Sequence, residues 1–161
     1  MKTIELKKVL IAIDYDQTAQ KVAEAGFLLS RSLGAEVVLL HVIADSVYYA
    51  STEYSPILGL TGEMDISPLQ LENVEGLKKV SMDFLDKLKN HFGDQSAQTI
   101  VKEGDFAEAI LKSAKEIHAN VIVIGSHSQK WLEKIVMGSV TEKVLNLTTI
   151  PLFIVPTKKQ S

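Results

Sequence analysis

The stretch of this sequence with the most chemical potential begins at Gly125. It reads Gly125-Ser126-His127-Ser128-Gln129-Lys130, runs on through Trp131 to Met137, and closes with Gly138-Ser139-Val140. Glycine lets a backbone come close to a ligand and adopt positive φ. Gly138 and Ser139 fall where a short helix begins, and the free N–H groups and dipole of a helix start attract an anion such as phosphate. His127, Lys130 and Lys134 add positive charge nearby. A second explanation needs no ligand: Ser139 with Glu142 is an S-x-x-E capping box, and Gly125 can simply turn the chain.

Other reactive side chains are sparse. There is no cysteine, which excludes disulfides, thiolate metal sites and cysteine nucleophiles. No G-x-x-x-x-G-K-[ST] phosphate loop is present. Ser126 and His127 are adjacent, but adjacency along the chain is not the geometry of a catalytic triad. His41 suits either a ligand or a buried hydrogen bond, whereas His91 and His118 fall near helix ends, where a cation complements the dipole. Trp131 fits an exposed anchor for a partner or a residue folded back on the core.

These residues need a scaffold, and the 161 residues suit one ordinary domain. Hydrophobic residues make up 46%, enough for a core. With 17 Lys and Arg against 20 Asp and Glu, the net charge is -3, which leaves no electrostatic footprint for nucleic acid. Arg31 is the only arginine, so the usual base-edge reader is almost missing. No apolar run approaches the ~20 residues of a membrane span, and Met1 to Lys8 lacks the apolar core of a signal peptide. The expectation is a soluble cytoplasmic protein that meets neither nucleic acid nor membrane.

Continuous apolar runs at Val9–Ile13 and Val121–Ile124, and the run Val37–Val42 around His41, suit buried strands, and Leu152–Val155 is the last strand, bounded by Pro151 and Pro156. Thr99–Val101 is shorter and more polar, which suits a sheet edge. Between these runs, Thr18–Leu33 repeats Val22, Ala25, Gly26, Leu29 and Leu33 at helical spacing, with Gly34 placed to end the helix. Asn73–Phe92 is a second helix, stopped by Gly93. Asp105 and Glu108 resemble a capping box opening a third helix through Ile110, Ala114 and Ile117, and Ser139–Leu147 is a fourth. Five strands alternating with four helices imply βαβ units and a parallel, doubly wound α/β sheet. Ligands of such sheets sit beyond the carboxyl ends of the strands where strand order reverses, which singles out Asp14, Val42, Gly104 and Gly125 as residues just after strands. The segment 44–72 breaks the rhythm. It is long enough to be a functional lid or a surface insertion, and Tyr48, Tyr49 and Tyr54 favour contact over free coil.

The arrangement resembles the universal stress protein family over nearly the whole chain. The residues that carry the likeness are Val9-Leu10-Ile11-Ala12-Ile13-Asp14, Leu39-Leu40-His41-Val42 and Gly104-Asp105-Phe106-Ala107-Glu108-Ala109-Ile110. Val123-Ile124-Gly125-Ser126-His127, Gly138-Ser139-Val140-Thr141-Glu142-Lys143-Val144-Leu145 and Pro151-Leu152-Phe153-Ile154-Val155 complete it. The resemblance implies one domain over 1–161 with a Rossmann-like sheet of the adenine-nucleotide-alpha-hydrolase kind, carrying 44–72 as an insertion. It implies an ATP site, with magnesium, formed by Ala12, Asp14, Val42, Gly125, Ser128, Gly138, Ser139 and Val140. Within that set Asp14 would hold the ribose or a metal-bridged phosphate, although a turn or cap aspartate is the plainer role. Val42 would meet adenine through its backbone.

ATP-binding members of that family carry glycine, two residues, glycine, nine residues, glycine, then serine or threonine. Here Gly125, Gly138 and Ser139 keep the spacing and Ser128 replaces the second glycine. Serine at a positive φ costs of order 1 kcal/mol or more. Two functions therefore stand side by side: an ATP-binding regulatory module of the stress response, and a nucleotide-independent module that binds an unidentified protein. The resemblance implies a homodimer in both, paired through the Leu152–Val155 edge strand. An enzyme is not expected, with weak ATP hydrolysis as the remaining catalytic alternative. The loop Asp14-Tyr15-Asp16-Gln17-Thr18 lacks the serine- and glycine-rich phosphate loop of ATP pyrophosphatases.

Overall fold

The computed structural model describes residues 3, 5–14, 18–43, 74–126 and 139–157. The five strands are β1 (Lys8–Ala12), β2 (Glu36–Ile43), β3 (Gln98–Glu103), β4 (Val121–Gly125) and β5 (Leu152–Val155). Among the described residues, the four helices are α1 (Ala19–Leu33), α2 (Val74–His91), α3 (Phe106–Glu116) and α4 (Ser139–Leu147). All strand pairs are parallel, in the order β3-β2-β1-β4-β5. The chain moves outward from β1 to β3 and then returns to the other side of β1, so strand order reverses between β1 and β4. The polar run at Thr99–Val101 does form an edge strand, extended to Gln98–Glu103. The segment 44–72 lies outside the described residues.

Strand periodicity divides the core into two layers. Val9, Ile11, Val37, Leu39, Val121 and Val123 pack with Phe27 of α1 and Phe84, Leu85 and Leu88 of α2. Leu10, Ala12, Val38, Leu40, Val42, Ile122 and Ile124 pack with Ala107, Ile110 and Ala114 of α3 and Val144 of α4. Successive strand residues point to opposite faces, so a run apolar at every position is needed to fill both layers. That requirement makes β1, β2 and β4 legible as runs.

Local chemistry sets the ends of the helices. Gly34 takes the left-handed conformation after α1 (φ 62, ψ 33), and its N–H donates to the Arg31 carbonyl. Gly93 follows α2 with φ 70. The Asp105 carboxylate accepts from the Glu108 N–H at 3.0 Å, capping α3. Its carboxyl is held below the usual range, chiefly by that backbone hydrogen bond and then by Lys143. At the end of α3, His118 adopts φ 56 and forms the left-handed turn itself, a conformation that histidine tolerates better than most side chains. Arg31 is structural: its guanidinium donates to the Phe92 carbonyl just beyond α2, beside the Phe27–Phe92 stack.

Candidate functional site

The site is built where β1 stops short. Its pairing with β2 ends at Ala12↔Leu40 and with β4 at Ile11↔Val123, while β2 continues to Ile43 and β4 to Gly125. The two longer strands therefore wall a crevice over the carboxyl end of the central strand, as the doubly wound rule requires. Continuing the register puts Asp14 level with Val42 on one side and Ser126 on the other. Ala12 closes the floor at 8% exposure, on the α3 and α4 side of the sheet.

Val42 contributes backbone rather than side chain. It is the penultimate residue of β2, not a residue beyond the strand as its run suggested, and its side chain is buried in the core under α3. The Ile13 N–H donates to the Leu40 carbonyl, so Leu40 turns its backbone groups toward β1. Two residues on, Val42 turns its own the same way, into the space past the end of β1. Ile43 turns the opposite way, its carbonyl accepting from Gly104 N–H at 3.0 Å.

His41 braces this wall. It is 1% exposed, and its Nδ1–H donates to the Ile13 carbonyl at 2.9 Å, the residue before Asp14. Burial lowers the imidazole pKa to about 4, against the opposing pull of that hydrogen bond, so the ring is neutral near pH 7. Of the two roles its sequence position allowed, the structure gives His41 the hydrogen-bonded one.

The β4 wall is made differently. Gly125 does not have a positive φ. A Cβ there would meet Val22 Cγ2 at 3.0 Å and Thr157 Cγ2 at 3.1 Å. Glycine is required by the close approach of α1 and the chain after β5, on the side away from α4, rather than by the turn or ligand approach read from sequence. Its carbonyl accepts from the Thr141 hydroxyl at 2.7 Å. Ser126 is also structural: Thr157 N–H donates to its Oγ at 3.0 Å, and its own N–H donates to the Val155 carbonyl. This clasp seats residues 156–157 on the end of β4.

Ser139 opens α4, with Glu142 in its first turn and half-buried Val140 packed on the core. Ser128, Gly138, His127, Lys130, Trp131 and Lys134 lie outside the described residues. Gly104 is not part of the crevice. It ends β3 at the sheet edge with φ 122 and turns the chain into α3. Among the described residues, no group of three His, Asp or Glu side chains is arranged to hold a metal ion, and no helix is long and apolar enough to cross a membrane. Sequence reasoning missed the structural parts played by Thr141, Thr157 and Val22. Their contacts join distant segments, and no local pattern announces them.

A parallel sheet of order 3-2-1-4-5, with a crevice where its central strand ends and a helix opening beside it, defines a Rossmann-like α/β protein. Residues 5–156 match the universal stress protein family, and the chain belongs to that family. It is 31% identical over 151 residues to universal stress protein YxiE of Bacillus subtilis, covering 92% of this chain and 97% of that one. The fold is similar to the solved structure of MJ0577, a universal stress protein of Methanocaldococcus jannaschii, with a TM-score of 0.72 at 24% identity, covering 98% of this chain and 100% of that one. It is also similar to a universal stress protein from Archaeoglobus fulgidus solved in complex with dAMP, with a TM-score of 0.59 at 16% identity, covering 94% of this chain and 98% of that one.

Proposed function

We propose that this protein is a dimeric, ATP-binding regulatory module of the stress response, one cytoplasmic domain that carries 44–72 as an insertion. The observation that carries the reading is that β2 and β4 run on past the end of β1. Asp14 comes level with the backbone of Val42 at the end of β1, and α4 opens beside Gly125. Adenine would lie against Ala12 and the Val42 backbone, and the ribose against Asp14. The phosphates would lie with Gly125, Ser128, Gly138, Ser139 and Val140, near the start of α4, where a helix start favours anions. The A. fulgidus relative solved with dAMP supports an adenine nucleotide as the ligand class. Asp14 supplies a hard oxygen donor of the kind magnesium prefers. One carboxylate does not make a metal cage, so magnesium would arrive with the phosphates rather than reside in the protein.

The role is regulatory rather than catalytic. The Ser126 hydroxyl, the nearest candidate nucleophile, accepts from the Thr157 backbone and sits 3.4 Å from the Thr157 hydroxyl, which suits a clasp. The test is isothermal titration with ATP and magnesium after removal of co-purified nucleotide. Micromolar binding that Asp14→Ala weakens supports the reading. No heat and no thermal shift would reject it in favour of the nucleotide-independent, partner-binding module, which Ser128 in the family's second glycine position favours.

The dimer reading rests on β5. Phe153 is 40% exposed on this edge strand, with Leu152 and Ile154 half-buried beside it. An apolar edge strand with open backbone groups is a template for a second strand, and a second copy of the chain supplies one. Light scattering should give twice the mass of one chain, and Phe153→Lys should give one. A wild-type protein that stays monomeric at high micromolar concentration would remove the dimer.

A further inference from the structure

We propose that Thr141 is a positioning residue whose hydroxyl holds the start of α4 at the phosphate end of the crevice. The inference rests on the nucleotide reading above and assigns the phosphate half of that site its support. Thr141 is 2% exposed in the first turn of α4. A helical threonine ordinarily bonds back to a carbonyl of its own helix. This one instead reaches the Gly125 carbonyl, 16 residues earlier, at 2.7 Å.

The acceptor explains why the bond matters. Ser126 N–H donates to the Val155 carbonyl, so Ser126 turns toward β5 and Gly125 turns toward β1. At that level β1 has ended, and the Gly125 carbonyl faces the crevice. This carbonyl is half-buried, and Thr141 supplies it a donor from α4. The bond thus joins the last residue of β4 to the first turn of the helix whose start would face the phosphates. A β-branched side chain is stiff at χ1, which suits it to fixing a distance. Among the described residues, α4 is also tied by Lys143 to Asp105 at 3.2 Å, with both side chains nearly half exposed, and such pairs contribute little. Orienting the helix-start N–H groups toward phosphate therefore falls to Thr141 and to the packing of Val144.

The experiment measures binding of ATP and of adenosine, which lacks phosphate, to wild type, Thr141→Val and Thr141→Ser. Thr141→Val should weaken ATP about tenfold and leave adenosine within about twofold, while Thr141→Ser stays close to wild type for both. If the valine variant does not fold, Thr141→Ala removes the hydroxyl without pressing a methyl on the carbonyl and carries the same expectation. Unchanged ATP affinity in the valine variant overturns the proposal. So does an equal loss of ATP and adenosine, which would mark a general structural role, and so does a serine variant as weak as valine. A wild type that binds neither compound rejects the nucleotide reading itself, and that result is visible before any variant is made.

Discussion

The two walls of the crevice are held by different chemistry. On the β1–β2 side, one buried imidazole ties Ile13 to β2, and burial favours its neutral form. On the β4–α4 side, hydroxyls and a glycine do the work: Thr141 to Gly125, Thr157 to Ser126, and Gly125 fitted between Val22 and Thr157. None of those groups titrates near neutral pH. The wall that would hold adenine and ribose is thus sensitive to acid, and the wall that would hold phosphate is sensitive to volume.

The largest effect that tests this contrast is the pH dependence of stability. The native His41 pKa is about 4 and the ordinary value is 6.5. Between these values the unfolded chain takes up a proton that the native ring refuses. The contribution of His41 is therefore fully present above pH 6.5, falls as pH drops toward 4, and is then lost. The loss amounts to about 3 kcal/mol. Denaturant melts at pH 7.5 and 4.5 should show the decline in wild type and a flatter profile in His41→Leu. Equal slopes in the two proteins would remove His41 from the account.

Gly125→Ala should come next. A Cβ at 3.0 Å from Val22 and 3.1 Å from Thr157 forces both neighbours to give by a few tenths of an ångström. The expected destabilisation is about 2 kcal/mol, without pH dependence. Thermal melts across pH check both parts, and a Gly125→Ala/Val22→Ala double variant that loses less than the sum of the two single variants would sharpen the steric explanation. Ser126→Ala, which removes the acceptor of the Thr157 N–H, should cost about 1 kcal/mol by the same melts. Lys143→Ala should change stability by no more than about 0.5 kcal/mol, since its partner Asp105 is half exposed. A loss larger than that of Ser126→Ala would mean that the outer ion pair, not the buried hydroxyls, holds α4 to the sheet.

Much of the scaffold was legible because its requirements are local. Val9–Ile13 and Val121–Ile124 had to be strands covered on both faces, since a run apolar at every position fits no amphipathic element. Observed ends differ by a residue or two, as at β2, which runs one residue beyond each end of Val37–Val42 because β1 pairs Glu36 with Lys8 and β3 pairs Ile43 with Glu103. Gly34 and Asp105 were readable as caps because a cap is formed within a few residues of chain. The site was legible in outline, through the rule that places ligands past the ends of parallel strands.

By itself, then, the sequence determined the order of strands and helices, their caps, and the family to which the chain belongs, because hydrophobic period and turn chemistry act over a few residues. Tertiary structure alone decided what several of those residues do. Gly125 is a packing glycine because Val22 and Thr157 converge on it from more than 30 residues away on one side and 100 on the other, by the chain numbering. Gly104 looked equivalent to Gly125, yet the sheet order leaves it at an edge, two strands from the reversal. Thr141 and His41 are polar residues in apolar surroundings until β4 and β1 end beside them. Only the packed sheet brings a carbonyl within reach of each, Ile13 for His41 and Gly125 for Thr141.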